Sequence, residues 1–280
     1  MRLRGLKAEM FAIISDIHSN LEALQTVLAD IERRAIKEII CLGDVIGYGP
    51  NPKECLDLIE SKCRMCLMGN HDHAVLYEPC NFNSAAERAA YWTRQTLEAE
   101  SDRDRRNRRW KFLCNLPIRV AEADVLYVHA SPRRPINEYI FPEDVFTNPQ
   151  KVMSNFERLE GQLCFVGHTH QPGVFLDDPY FDPPSELSDA PYFEVTDKRA
   201  IINVGSVGQP RDRDSRASYV VIYDDDRTRK AGGLVSAIHG CTIEEVEFVR
   251  LEYDIQKTVD KILAEPALDD MLGHRLFEGR

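Results

Sequence analysis

Six stretches of this chain begin apolar and end polar: "MFAIISDIHSN" (10–20), "EIICLGDVIGYG" (38–49), "CRMCLMGNHDH" (63–73), "VLYVHAS" (125–131), "LCFVGHTH" (163–170) and "AIINVGSVG" (200–208). Runs of about five apolar, often β-branched residues are what a strand buried on both faces requires. Between the early runs the period lengthens to that of a helix. "SNLEALQTVLADIERR" places Leu21, Leu24, Leu28 and Ile31 on one face, with Ser19 or Asn20 as N-cap. "NPKECLDLIESK" offers Asn51 as cap and Pro52 as the first helical residue. "NSAAERAAYWTRQTLEAE" and "SDRDRRNRRWKFLCNL" predict two further helices, the second ending before Pro117. This alternation predicts an α/β fold with mostly central, buried strands. Later, "ASYVVIYDD" and "IEEVEFVRLEYD" alternate apolar and polar positions as half-exposed strands do, and "IQKTVDKILAE" returns to helix. Residues 177–198, rich in Pro and Asp and without a period, read as a surface excursion from a single domain spanning 1–280. The C-terminal tail carries no recognisable signal.

Composition narrows the function. The 280 residues are 43% hydrophobic and 29% charged, the balance of an ordinary globular chain. No run of about 18 apolar residues exists to span a membrane. The N-terminal basic residues run into "SDIHSN" without a small-residue cleavage signal, so the mature chain is expected to start near Met1. The eight cysteines, Cys241 among them, lie mostly in apolar segments of a chain too large to need disulfides, which predicts a cytoplasmic location. The pair Cys63 and Cys66 reads as packing, there being no second such pair for a zinc site. A net charge of -11 argues against a general nucleic-acid-coating role, though a local basic site could still hold a phosphate.

Ligands of open α/β sheets settle where loops leave the carboxyl ends of strands. Collected there are Asp16, His18, Asp44, Asn70, His71, His129, His168 and His170. Each alone has an ordinary explanation: a turn, a chance spacing, a core histidine. Together they do not, because packing gives no reason for strand after strand to finish on metal-ligating side chains. Carboxylates, imidazoles and one amide oxygen suit manganese, iron, zinc, cobalt or nickel better than calcium. Seven donors exceed one four-coordinate site and fit two ions sharing a carboxylate. Two such ions ~4 Å apart clamp the attacking and leaving oxygens of a phosphate displacement.

The order DxH (Asp16, His18), GD (Asp44), GNHD (69–72), a His after a strand (His129) and GHTH (167–170) resembles the calcineurin-like metallophosphoesterase superfamily across residues 11–210. The resemblance implies an αββα sandwich, two mixed sheets packed together with helices outside. It also implies that Asp16, His18 and His170 bind one metal and Asn70, His129 and His168 the other, with Asp44 bridging. A metal-held hydroxide would attack phosphorus, and His71 would protonate the leaving oxygen or stabilise the transferring group.

"GDVIGYGPNP" and "NVGSVGQPRDRDSRASYVVIYD" look like the small prokaryotic phosphodiesterase and phosphatase branch related to diadenosine tetraphosphatase. Gly47 and Tyr48 stand where protein Ser/Thr phosphatases carry an Asp and a phosphate-gripping Arg, which disfavours that activity. Ala130 and Val204 replace the branch's usual Gly and Pro. Arg211 is the leading replacement for the missing arginine, ahead of Arg213 and Arg216; the alternative is a loop charge-balanced by Asp212 and Asp214. Arg133 and Arg134 are weaker candidates, the "RRNRRW" cluster (105–110) reads as an exposed helix face, and Tyr48 and Asn20 could line the pocket. The expectation is a dimetal phosphoesterase, manganese first among its metals, acting on a phosphorylated small molecule or nucleotide. Alternatives are a dinucleoside polyphosphate hydrolase, a protein phosphatase or a non-catalytic binding scaffold.

Overall fold

Strand β1 (Glu9–Ile14) serves two cores at once. Ala12 and Ile14 pack toward helices on one side, and Ile13 packs toward a second sheet on the other. That alternation is why the apolar runs are unbroken. A computed structural model describes residues 9–224 and 243–280. The basic N-terminal residues and Cys241 lie outside them.

In the first sheet, β1 pairs in parallel with β2 (Glu38–Cys41), and β2 with β3 (Met65–Cys66). On the other side of β1 follow β11 (Ala217–Asp224), β12 (Ile243–Leu251) and β9 (Tyr192–Glu194), all antiparallel. The second sheet runs β4 (Arg119–Glu122), β5 (Val125–Val128), β6 (Leu163–Val166), β10 (Ala200–Asn203), β7 (Gly173–Leu176), β8 (Tyr180–Asp182). Its β5, β6 and β10 are mutually parallel. Residues such as Ile13, Ile40, Phe165, Ile202 and Val220 fill the space between the sheets. Helices α1 (Leu21–Arg33) and α2 (Pro52–Lys62) cover the outside of the first sheet, and α6 (Asp144–Thr147) and α7 (Pro149–Phe156) the outside of the second. The fold is the expected αββα sandwich. Among the described residues no helix is long and apolar enough to cross a membrane.

Several local expectations are corrected. Every residue of β11 except Tyr223 is buried, because β11 lies mid-sheet with both faces covered; it is not a half-exposed strand. Most of β12 is buried too. The stretch 177–198 is not wholly irregular: it supplies β8 and β9, one edge strand to each sheet, where pairing rather than periodicity selects the conformation. Asn51 precedes α2, but its side chain accepts a hydrogen bond from Lys261 Nζ (2.8 Å) instead of capping. Arg109 of the "RRNRRW" run is buried. It donates two hydrogen bonds to Asp57 and one to Glu100, tying α5 (Arg103–Cys114) to α2.

The tail folds as well. Helix α8 (Ile255–Leu263), helix α9 (Asp270–His274) and a 3-10 turn (Arg275–Glu278) bury Val259, Ile262, Leu272 and Leu276 against Tyr48 and the alanine face of α4 (Ser84–Glu98).

Candidate metal centre

The parallel strands β1, β2 and β3 of one sheet and β5, β6 and β10 of the other send their carboxyl-end loops to one place. Asp16 and His18 follow β1, Asp44 follows β2, His129 follows β5, and His168 and His170 follow β6. After β3 the chain turns directly into α3 (Asn70–Leu76), so Asn70 and His71 occupy its first turn. Asn70 is half-buried and the other seven are buried.

Holding them there strains the backbone. Asp16, His18, Asp44, His168 and His170 have φ of 54°, 49°, 51°, 65° and 60°, the left-handed region that costs a non-glycine residue about 1–2 kcal/mol. A hydrogen-bond lattice opposes that cost. Asp16 N donates to Gly43 O (3.0 Å), His18 N to Asp44 O (3.0 Å), His168 N to Asp16 Oδ2 (2.9 Å) and Ser206 Oγ to Asp16 O (2.8 Å). Asp72, the last residue of GNHD, accepts from Val45 N (3.0 Å), Ile46 N (3.2 Å) and Gly69 N (3.0 Å), binding the Asp44 loop to α3. Burial and the neighbouring Asp44 push its carboxyl up to about 7 against those amides. Its role was not read from the sequence, although the motif contains it.

The donor atoms are arranged for a cation. His129 Nδ1 donates to Leu42 O (3.2 Å) and His170 Nδ1 to Gln209 O (2.5 Å), so each ring turns Nε2 inward. His170 Nε2 then lies 3.1 Å from Asp16 Oδ1 and 3.2 Å from His18 Nε2. Burial, aided by Arg211, pushes His170 down to about 4, so at neutral pH this Nε2 presents a lone pair to the carboxylate. Asp16 Oδ1 and His168 Nε2 are buried without a hydrogen-bond partner. Such converging, unmet lone pairs are what a bound cation would satisfy.

Asp44 is the shared group. Its Oδ2 lies 3.6 Å from His18 Nε2 and 3.4 Å from His129 Nε2, while Oδ1 accepts from His71 N (2.8 Å). His129 Nε2 also lies 3.2 Å from Asn70 Oδ1. Despite the burial of both groups, the His129 and His71 rings hold Asp44 well below the usual carboxylate range, and Asp44 lifts His129 to about 9. Burial, with His129 alongside, drives His168 down to about 3. Three groups therefore offer donor atoms within 4.8 Å of one another: Asp16, His18 and His170; Asp44, His129 and His168; and His18, Asp44 and His71. Two cations fit this donor set by chemistry and by its unmatched lone pairs.

Aromatic rings fix the surroundings. The His71 ring packs on Tyr48 (centroids 4.2 Å) and Phe82 (4.6 Å), and burial holds its imidazole well below its ordinary value against the pull of Asp44. Tyr139 stacks on His168 at 3.9 Å. Tyr139 and Phe82 come from segments without a period, so no sequence signal singled them out.

The secondary candidates divide. Tyr48 is at the site, 4.8 Å from the His18 ring. Asn20 is not a pocket residue: it caps α1 through Ala23 N (3.2 Å) and donates to Gly208 O (2.8 Å). Arg133 is occupied by Glu138, Arg216 by Asp214, and Arg213 is exposed. Arg211 Nη2 donates to Gln209 Oε1 (2.7 Å), and its N donates to His170 O (3.2 Å) beside the donor cluster. Cys41, Cys63 and Cys66 are free thiols, and burial raises those of Cys63 and Cys66.

Comparison with known proteins gives this geometry its relatives. The model of the calcineurin-like phosphoesterase family matches residues 10–172. An uncharacterised protein of Methanocaldococcus jannaschii is 39% identical over 97% of this chain and 98% of its own. The crystal structure of a metallophosphoesterase from Sphaerobacter thermophilus superposes with a TM-score of 0.77 at 35% identity, covering 98% of this chain and 100% of that one. A hypothetical protein from Pyrococcus horikoshii shares the fold at 18% identity and a TM-score of 0.68, over 97% and 98% of the two chains.

Proposed function

The chain belongs to the calcineurin-like phosphoesterase family, and on that premise we propose that it hydrolyses a phosphomonoester or phosphodiester with the help of two divalent cations. The observation that carries the reading is the shared carboxylate: one oxygen of Asp44 faces both His18 Nε2 (3.6 Å) and His129 Nε2 (3.4 Å). Asp16, His18 and His170 would hold one cation, Asn70, His129 and His168 the other, and Asp44 both. Manganese is our first choice, and the same donors accept iron, zinc, cobalt or nickel. Bound there, such a pair supplies Lewis acidity toward phosphoryl oxygens and makes water acidic enough to react near neutral pH.

The protein's own groups do the rest. His71, kept neutral by burial, presents an N–H to the transferring phosphoryl group or the leaving oxygen. Tyr48 and Phe82 hold that ring in place. Arg211 grips phosphate oxygens from the β10 side. The left-handed turns, locked by Asp72 and Ser206, keep the donors preorganised so that little reorganisation accompanies reaction.

The test is Asp44→Asn, followed by metal content per chain and by hydrolysis of bis-p-nitrophenyl phosphate and p-nitrophenyl phosphate with manganese. Metal content and turnover are expected to fall together. A variant that keeps both at the wild-type level overturns the reading.

A further inference from the structure

The C-terminal turn carries an arginine to the edge of the centre. Arg275 Cζ lies 4.5 Å from the centroid of the Tyr48 ring, and Arg211 Cζ lies 5.8 Å from the same centroid. That ring in turn packs on His71 and His18. One tyrosine thus joins two guanidinium groups to the imidazoles of the site.

Neither guanidinium meets a carboxylate among the described residues. The acids of the 211–216 loop are already engaged, Asp212 by Arg250 and Asp214 by Arg216. Arg211 Nε, and both Nε and Nη2 of Arg275, are buried without a hydrogen-bond acceptor. Burial and the neighbouring Arg211 push the Arg275 guanidinium down to about 10. Among the described residues the Arg211 guanidinium has only Gln209 Oε1 and that of Arg275 only the Tyr48 side chain as hydrogen-bond partner, and two adjacent, partly desolvated cations without a carboxylate cost free energy, as do three unmet donors. The placement is not that of a frayed end: Leu272 and Leu276 are buried beside Tyr48, and Arg213 N donates to Gly279 O (3.0 Å).

We propose that Arg275 and Arg211 form a two-guanidinium clamp for phosphate oxygens, and that this clamp selects a dianionic phosphomonoester over a monoanionic phosphodiester. The proposal rests on the hydrolase reading above and names its substrate class. A monoester carries nearly two charges on three free oxygens at neutral pH, enough acceptors for two planar forks; a diester has one charge on two.

Arg275→Met keeps the apolar stem over Tyr48 and removes the fork; Arg275→Lys restores the charge without it. On the manganese-loaded protein, Arg275→Met is expected to raise KM for p-nitrophenyl phosphate about tenfold or more, the size of a lost charge-assisted hydrogen bond. Its kcat, and its KM for bis-p-nitrophenyl phosphate, should change less than about twofold. Inorganic phosphate binding, read by calorimetry on the protein as purified, should weaken by the same factor, with Arg275→Lys intermediate and the exposed Arg280→Met like wild type. If Arg275→Met melts early, Arg275→Lys and Arg275→Gln are read instead. Phosphate affinity unchanged across these variants, or equal losses on monoester and diester, overturns the proposal. Loss of phosphate binding in a protein that hydrolyses neither ester would instead leave the clamp standing and the hydrolase reading refuted.

Discussion

The Nε2 atoms of His18 and His170 face each other at 3.2 Å across 152 residues of sequence. His170 carries its proton on Nδ1, where Gln209 O accepts it, so its inner nitrogen turns a lone pair toward the Asp16 carboxylate 3.1 Å away. Removing metal should therefore destabilise the fold. A ligand at a hundred times its Kd adds about 2.7 kcal/mol, and in a chain of this size each kcal/mol moves Tm by about 2–4 °C. Chelated protein should melt about 5–10 °C below the manganese-loaded form in calorimetry. Identical melting curves would show that the donors hold no cation.

In the proposed reaction His71 contributes an N–H, and Asp44, through its Oδ1, anchors the backbone beneath it. His71→Asn should lower kcat by about 10²–10⁴, the range for a lost proton donor. Metal content measured by elemental analysis should stay at the wild-type value. A variant that loses metal in proportion to activity would make His71 a ligand instead.

Gly69 has an ordinary backbone, φ -87°, so its conformation suits any residue. Space does not: a Cβ there would overlap Asp44 Oδ1 and come within 2.4 Å of Asp44 N. Gly69→Ala should displace Asp44, reducing metal stoichiometry and costing about 1–3 kcal/mol by overpacking. Urea unfolding and metal analysis read the two effects, and a neutral result on both would refute the steric account.

Far from the centre, Tyr219 Oη donates to Asp30 Oδ2 at 2.5 Å beneath α1. Burial opposes ionisation of Asp30, but the bonds from Tyr219, Arg33 and Arg34 win and hold its carboxyl below the usual range. A depressed carboxyl adds stability above its unfolded value, about 3.9, and loses it as pH falls through the folded value. Tyr219→Phe should cost about 1–2 kcal/mol near pH 7. Urea titrations should show that gap constant above about pH 5 and shrinking below about pH 4. A gap that widens in acid would contradict the sign.

Much of this protein was legible in the chain. Apolar runs ending in Asp, Asn or His marked β1, β2, β3, β5, β6 and β10 and the eight residues that meet at their ends, because a strand buried on both faces must be continuously apolar and its polar successor must then leave the sheet. Periodicity likewise marked α1, α2, α4 and α5. Pairing was not legible. The edge strands β8 and β9 have no pattern of their own, and β11 looked half-exposed until helices covered one of its faces and the second sheet the other.

Local sequence determined which side chains the strand ends would offer, since burial and backbone direction act on neighbours along the chain. Tertiary structure alone decided that Asp72 would lock the Asp44 loop, that Asn20 would cap a helix rather than line a pocket, that Tyr139 would stack on His168, and that Arg275 would arrive beside Tyr48. Those are contacts between residues far apart in sequence. They exist only once two sheets and a folded C-terminal turn exclude water from a common space, and no local pattern encodes that proximity.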